Sequence, residues 1–124
     1  MIHRTYRAKE QKTRHRKPVA PVGGITRGQA RALGTFPLRL VGDRLAPRYR
    51  DGDVLLVDTR REALPGHVVI VELASKNGPP GAYRAGLWAF RMNSDRDLWD
   101  YQGGHVAAGE WRLVGVVTGR LPAR

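Results

Sequence analysis

Residues 36–58 read FPLRLVGDRLAPRYRDGDVLLVD, and this stretch decides the fold. Phe36, Leu38 and Leu40 alternate with Pro37, Arg39 and Val41, a period of two that belongs to a strand with one buried face. Gly42 stands where that strand must end in a sharp turn, and Pro47 lies inside the turn. Asp51-Gly52-Asp53 follows. Glycine there suits a tight turn with positive φ, and the flanking aspartates are able to bond nearby backbone donors. Val54 to Val57 is a short, β-branched-rich apolar run, which fits a buried strand better than a helix.

The same grammar continues downstream. Pro65-Gly66 precedes the apolar run Val68 to Leu73, and residues 75–81, Ser-Lys-Asn-Gly-Pro-Pro-Gly, form a loop. Tyr83 to Met92 and Trp111 to Thr118 supply two or three more strands. Strands about ten residues apart with turn signals between them predict a compact, mostly antiparallel β domain over 36–124.

Upstream the composition changes. Residues 1–17 carry Arg4, Arg7, Lys9, Lys12, Arg14, Arg16 and Lys17 against Glu10 alone, a balance of +6 out of the +11 of the whole chain. So charged a segment cannot offset its ordering entropy by apolar burial, and it is expected to be a mobile basic arm. Residues 18–35 read as a Pro/Gly linker through Pro18, Pro21, Gly23 and Gly24, with a short helical turn from Thr26 ended by Gly34. The eighteen arginines against four lysines need no functional cause, since arginine codons are rich in G+C.

At 124 residues with 41% hydrophobic content the chain has room for one modest core. It has no cysteine, so disulfides and thiolate metal sites are excluded. No apolar run reaches the roughly 18–20 residues that span a bilayer, and no apolar stretch follows the basic N-terminus as in a secretory signal. The expectation is a cytoplasmic protein with no membrane partner. His3, His15, His67 and His105 show no metal-ligand spacing, and nothing points to a cofactor. His67 and His105 read as ordinary surface residues.

Taken in order, these segments resemble the LexA/UmuD/phage-repressor peptidase domain, a signal-peptidase-like Ser–Lys family. In that family a strand runs into Gly-Asp-Ser-Met, then a Pro-containing turn, then Asp-Gly-Asp and an apolar strand. Here Gly42-Asp43-Arg44-Leu45 stands at the first motif and Asp51-Gly52-Asp53-Val54 at the second. Gly66-His67-Val68 resembles the next glycine and strand, Met92-Asn93-Ser94 the end of the following hairpin, and Val114-Gly115-Val116-Val117 the closing strand. The resemblance runs over 36–118. It implies a β fold that dimerises mainly through its C-terminal strands, for which Trp111 to Val117 is the candidate, with apolar core as the rival reading.

The resemblance also implies a serine nucleophile and a buried lysine on the hairpin strand whose pKa is lowered toward neutrality. The serine position is Arg44, and the lysine position falls near Tyr83 and Arg84. An arginine stays protonated and serves as neither nucleophile nor base. The remaining pair, Ser75-Lys76, lies in a loop. Val106-Ala107-Ala108-Gly109-Glu110 resembles the self-cleavage sequence of LexA-type repressors. It follows every active-site element, however, and reads as a turn into the last strand. Residues 1–35 are too few for the helix-turn-helix unit of those repressors.

The expectation is therefore a catalytically inactive LexA/UmuD-like domain that binds or regulates, in transcription, phage repression or the SOS response. Nucleic acid would be contacted through residues 1–17 in a salt-sensitive, sequence-independent way. A dimer would raise avidity, and Arg44 would offer a cleft to an acidic group of a protein partner or pair with Asp43 or Asp53. Two alternatives stand beside it. One is an active peptidase with a displaced dyad, cutting within 18–34. The other is a basic β-barrel that binds RNA, as on a ribosome, with Arg39, Arg48, Arg50, Arg60 and Arg61 as phosphate contacts. Against the latter, no open face of Phe, Tyr or Trp is evident in the sequence.

Overall fold

A computed structural model describes residues 18–21 and 35–122. The basic segment 1–17 and the helical turn expected after Thr26 lie outside the described residues. The rest is mostly β, short-stranded and antiparallel, as the turn spacing predicts. Its strands are β1 (Ala20–Pro21), β2 (Thr35–Arg39), β3 (Val54–Asp58), β4 (Val68–Leu73), β5 (Trp88–Met92), β6 (Leu98–Trp99), β7 (His105–Val106) and β8 (Trp111–Leu121). They form one sheet in the order β1-β2-β3-β8-β4-β5-β6-β7.

Strand β8 organises this sheet. Its second half pairs with β3, from Asp58 opposite Val116 to Val54 opposite Leu121. Its first half pairs with β4, from Leu73 opposite Trp111 to Val69 opposite Val116. One extra residue is inserted in each ladder. Val57 faces Val117 while Leu56 faces Gly119, and Ile70 faces Gly115 while Val71 faces Leu113. Bulges bend and twist a strand, and here they let one strand serve two halves of a sheet. They also re-aim side chains: Val114 and Val116, two apart, pack in different core clusters.

Burial follows from that geometry. Strand β4 is buried at all six positions, with Val68 and Ile70 in one cluster and Val69, Val71 and Leu73 in the other. The first cluster adds Phe36, Leu38, Leu55 and Val57, together with Leu45 and Tyr49 from the turn between β2 and β3. The second adds Trp88, Phe90, Met92, Leu98 and Trp111. The apolar stretch Trp111 to Val117 is therefore core strand, paired along its length and largely buried.

The structure shortens one expected strand and adds three. Tyr83 to Leu87 belong to the connection before β5, with a single bridge from Tyr83 to Ala74. Strands β1, β6 and β7 are two residues each, too short for a period to register. Within the segment read as a linker, Val19 is buried and its N–H bonds the Leu87 carbonyl at 2.8 Å.

Candidate functional site

The turn between β2 and β3 is built by its own aspartates. Gly42 N–H donates to Asp51 Oδ1 at 2.7 Å, and Arg50 N–H donates to Asp53 Oδ2 at 2.8 Å. Asp51 N–H in turn reaches Asp43 Oδ1 at 3.3 Å. Gly42 and Gly52 have φ of 92° and 87°, so both need glycine's freedom at positive φ. The Ala46–Pro47 peptide inside the turn is cis. At the rim, Gly66 closes the turn into β4 with φ 91°, and its carbonyl accepts from Arg48 at 3.4 Å.

Arg44, at the position of the expected nucleophile, faces Asp100. Its Nη1 lies 3.7 Å from Asp100 Oδ2, with the Arg44 side chain 26% exposed and that of Asp100 fully buried. This corrects the expectation that Asp43 or Asp53 would serve: Asp43 bonds the turn backbone, and Asp53 pairs with Arg120 at 3.0 Å. Sequence separation hid the pairing, because β6 and β7 swing back over the turn. Tyr101 N–H donates to the Arg44 carbonyl at 2.8 Å, and Gln102 Nε2 reaches the Asp43 carbonyl at 3.4 Å. Asp100 Oδ1 also accepts the N–H groups of Gln102 and Gly104, each at 2.8 Å. The acid expected from a partner at Arg44 is supplied by the chain itself.

Tyr83 and Arg84 are occupied otherwise. The Arg112 guanidinium lies 4.0 Å from the Tyr83 ring centroid and bonds the buried Glu72 at 3.0 Å. The Arg84 guanidinium lies 4.8 Å from the Trp88 ring. The hairpin partner of β4 is β5, whose buried residues are Trp88, Ala89, Phe90 and Met92, with no lysine among them. The one lysine among the described residues, Lys76, lies in the loop beside Ser75, where Ser75 N–H bonds the Ala82 carbonyl at 2.8 Å.

Most domain arginines are engaged inside the fold. Arg44, Arg61, Arg112 and Arg120 meet Asp100, Asp58, Glu72 and Asp53. Arg39 donates to the Gly52 carbonyl at 3.0 Å, while Arg48 and Arg96 lie over Tyr49 and Trp111. The expected phosphate contacts Arg39, Arg48 and Arg61 thus already hold turns together. His67 Nδ1 accepts from Leu64 N–H at 3.0 Å. His105 is no ordinary surface residue: its Nε2 lies 3.1 Å from Asp97 Oδ2, its side chain is 13% exposed, and its ring packs on Trp99. Among the described residues no group of three or more His, Cys, Asp or Glu is placed to hold a metal ion. No helix among them is long and apolar enough to cross a membrane.

The string 106–110 forms the turn from β7 into β8. Gly109 has φ 86°, Glu110 N–H bonds the Ala107 carbonyl, and Ala108 N–H bonds Asp97 Oδ1. Two features escaped the sequence reading: the acid that meets Arg44, and the exposed rings of Trp99 and Tyr101 on the β6–β7 hairpin. No sequence signal marks either, since Leu98-Trp99-Asp100-Tyr101 does not alternate in polarity and its alternation in burial is set by the fold. No family model matches the chain, and neither known curated proteins nor solved structures give a match.

Proposed function

We propose that this chain is a LexA/UmuD-like domain without peptidase activity, which acts by binding and meets nucleic acid through residues 1–17. The observation that carries the reading is the partition of charge. Residues 1–17 hold +6, whereas residues 36–124 hold thirteen cations against ten acids, or +3. Within the domain most arginines already meet carboxylates, carbonyls or rings. A polyanion therefore finds its cations mainly in the N-terminal segment, which disfavours the basic-barrel reading. The order of elements supports the family reading: the resembling motifs fall on the β2–β3 turn, β3, the turn into β4, the β5–β6 turn and the middle of β8. Arg44 paired to Asp100, and a β5 without lysine, speak against the displaced dyad.

The test is binding of labelled DNA and RNA by the full chain over a salt series. Seven phosphate contacts imply that log K falls against log salt with a slope of roughly −5 to −6. Replacing the seven cations by glutamine should abolish that binding, while alanine at Arg50, Arg60 and Arg61 should leave it nearly unchanged. Equal losses from both sets would return the domain to the interface and overturn the assignment. Incubation with mass analysis tests the peptidase alternative, which requires a cut within 18–34.

A further inference from the structure

We propose that the β6–β7 edge of the sheet stacks unpaired bases of single-stranded nucleic acid on Trp99 and Tyr101. The inference rests on the nucleic-acid reading above and adds to it the element that selects single strands. The three tryptophans are not alike: Trp88 and Trp111 are 2% and 8% exposed, whereas Trp99 is 38% and Tyr101 49% exposed. Burial alternates from Leu98 to Tyr101, and the two open rings stand two residues apart, Trp99 at the end of β6 and Tyr101 in the turn that follows.

The Trp99 ring and the backbone of Tyr101 are held in place before any ligand arrives. His105 is the Cα partner of Trp99, and the two rings lie 4.3 Å apart at 44°. Asp97 fixes the imidazole through the 3.1 Å contact to Nε2, so the support under Trp99 is itself anchored. Tyr101 is tied by its backbone to Arg44, and the turn that follows is closed by Asp100 on Gln102 and Gly104. On the other side of Trp99 the register places Arg91, giving a row Arg91–Trp99–His105 across β5, β6 and β7. A cation beside an open indole is what a stacked base with its phosphate requires.

The occupant is chosen by charge, area and shape. The chain carries +11, and the cation-rich segment 1–17 supplies phosphate contacts but only one aromatic, Tyr6. Stacking must come from elsewhere, and these are the two most exposed aromatic rings among the described residues. A stable protein interface needs about 800 Å² from each partner, which two half-exposed rings fall well short of. A two-residue edge strand is also too short for strand addition. Duplex DNA is excluded by its own stacking, since paired bases present no free face.

Intrinsic fluorescence tests this directly, since Trp99 is the one indole open to a ligand. The full chain is titrated with a twelve-nucleotide oligothymidylate, an oligoadenylate and a duplex of equal length. Single strands should quench the emission, while the duplex should bind through 1–17 with little quenching. Trp99→Ala with Tyr101→Ala should weaken single-strand binding by about 5- to 150-fold per lost stack and leave the duplex affinity unchanged. Trp99→Phe should retain most of the affinity, which separates lost stacking from lost structure. Unchanged single-strand affinity in the double variant overturns the inference, as does unquenched binding by the wild type. Salt-steep binding that survives either result leaves the role of 1–17 standing. Loss of self-association in the double variant, without change in oligonucleotide affinity, would assign the edge to a protein partner instead.

Discussion

Gly104 offers a perturbation whose sign depends on one neighbour. A Cβ built there would lie 2.3 Å from Asp100 Oδ2, 2.9 Å from Cγ and 3.2 Å from Oδ1. The carboxylate cannot step aside cheaply, since its side chain is fully buried and Oδ1 is pinned by two backbone N–H groups. Gly104→Ala should therefore push Asp100 off Gly104, Gln102 or Arg44. Overpacking costs about 1–3 kcal/mol, and one strained charge-assisted hydrogen bond adds about 1–2 kcal/mol. We expect a loss of about 2–4 kcal/mol.

In an Asp100→Ala background the obstacle is gone. That variant alone should lose about 3–5 kcal/mol, because the buried Gly104 N–H and the part-buried Gln102 N–H lose their acceptor. Adding Gly104→Ala to it should be neutral or should stabilise by about 0.4–1 kcal/mol, by restricting the unfolded chain. The interaction energy in the double-mutant cycle should thus exceed about 2 kcal/mol. Urea unfolding of the four proteins measures it, with unchanged m values as the check that the unfolded state is the same. Additivity within about 0.5 kcal/mol would refute the reasoning, since it would mean that alanine and carboxylate do not compete for one space.

Three further outcomes follow from the same contacts. Gly115→Ala should cost about 2–3 kcal/mol in urea unfolding, because its Cβ would meet Val57 Cγ1 at 2.6 Å and the Asp58 carbonyl oxygen at 2.9 Å, just beyond the Asp58–Val116 end of the β3–β8 ladder; a neutral result would show that β3 can move. Asp53→Ala should cost about 3 kcal/mol and Arg120→Ala less than about 1 kcal/mol, since the acid is buried and also caps Arg50 N–H while the arginine is 41% exposed; equal losses in thermal or urea unfolding would contradict that asymmetry. Arg44→Ser should give no peptide cleavage over days at pH 7–9 by intact mass, because β5 offers no lysine to deprotonate the new hydroxyl; a cut within 18–34 would sink the assignment of an inactive site.

What the sequence disclosed, and what it hid, divides by the range of the interaction. Strands β3, β4 and β8 were legible because each is a short apolar run framed by turn residues. The turn at Gly42 to Asp53 was legible for the same reason: its hydrogen bonds close within eleven residues. Strands β6 and β7 were not. Two residues carry no period, and their pairing is set by β5 and by the return of the chain to Arg44. The acid at Arg44 lies 56 positions away, so proximity in sequence favoured Asp43 and Asp53 wrongly.

The same distinction bears on the assignment of charge. Counting arginines treats each as available to a phosphate, which made the basic-barrel reading attractive. A guanidinium held by a buried carboxylate is not available on those terms. To contact a phosphate, Arg112 would have to leave Glu72, and Arg120 would have to leave Asp53, each 3.0 Å away. Both guanidiniums are half-exposed, at 49% and 41%, so each move gives up one solvent-screened, charge-assisted hydrogen bond of about 1 kcal/mol or less. A single exposed phosphate contact returns no more than that, so these arginines gain nothing by moving. The segment 1–17 is under no such constraint from its own composition, with one acid among seven cations. Salt dependence should accordingly follow mainly the N-terminal cations, whereas preference for single strands should follow Trp99 and Tyr101. Two separable dependences in one binding curve are what a polyelectrolyte contact joined to a stacking contact produces.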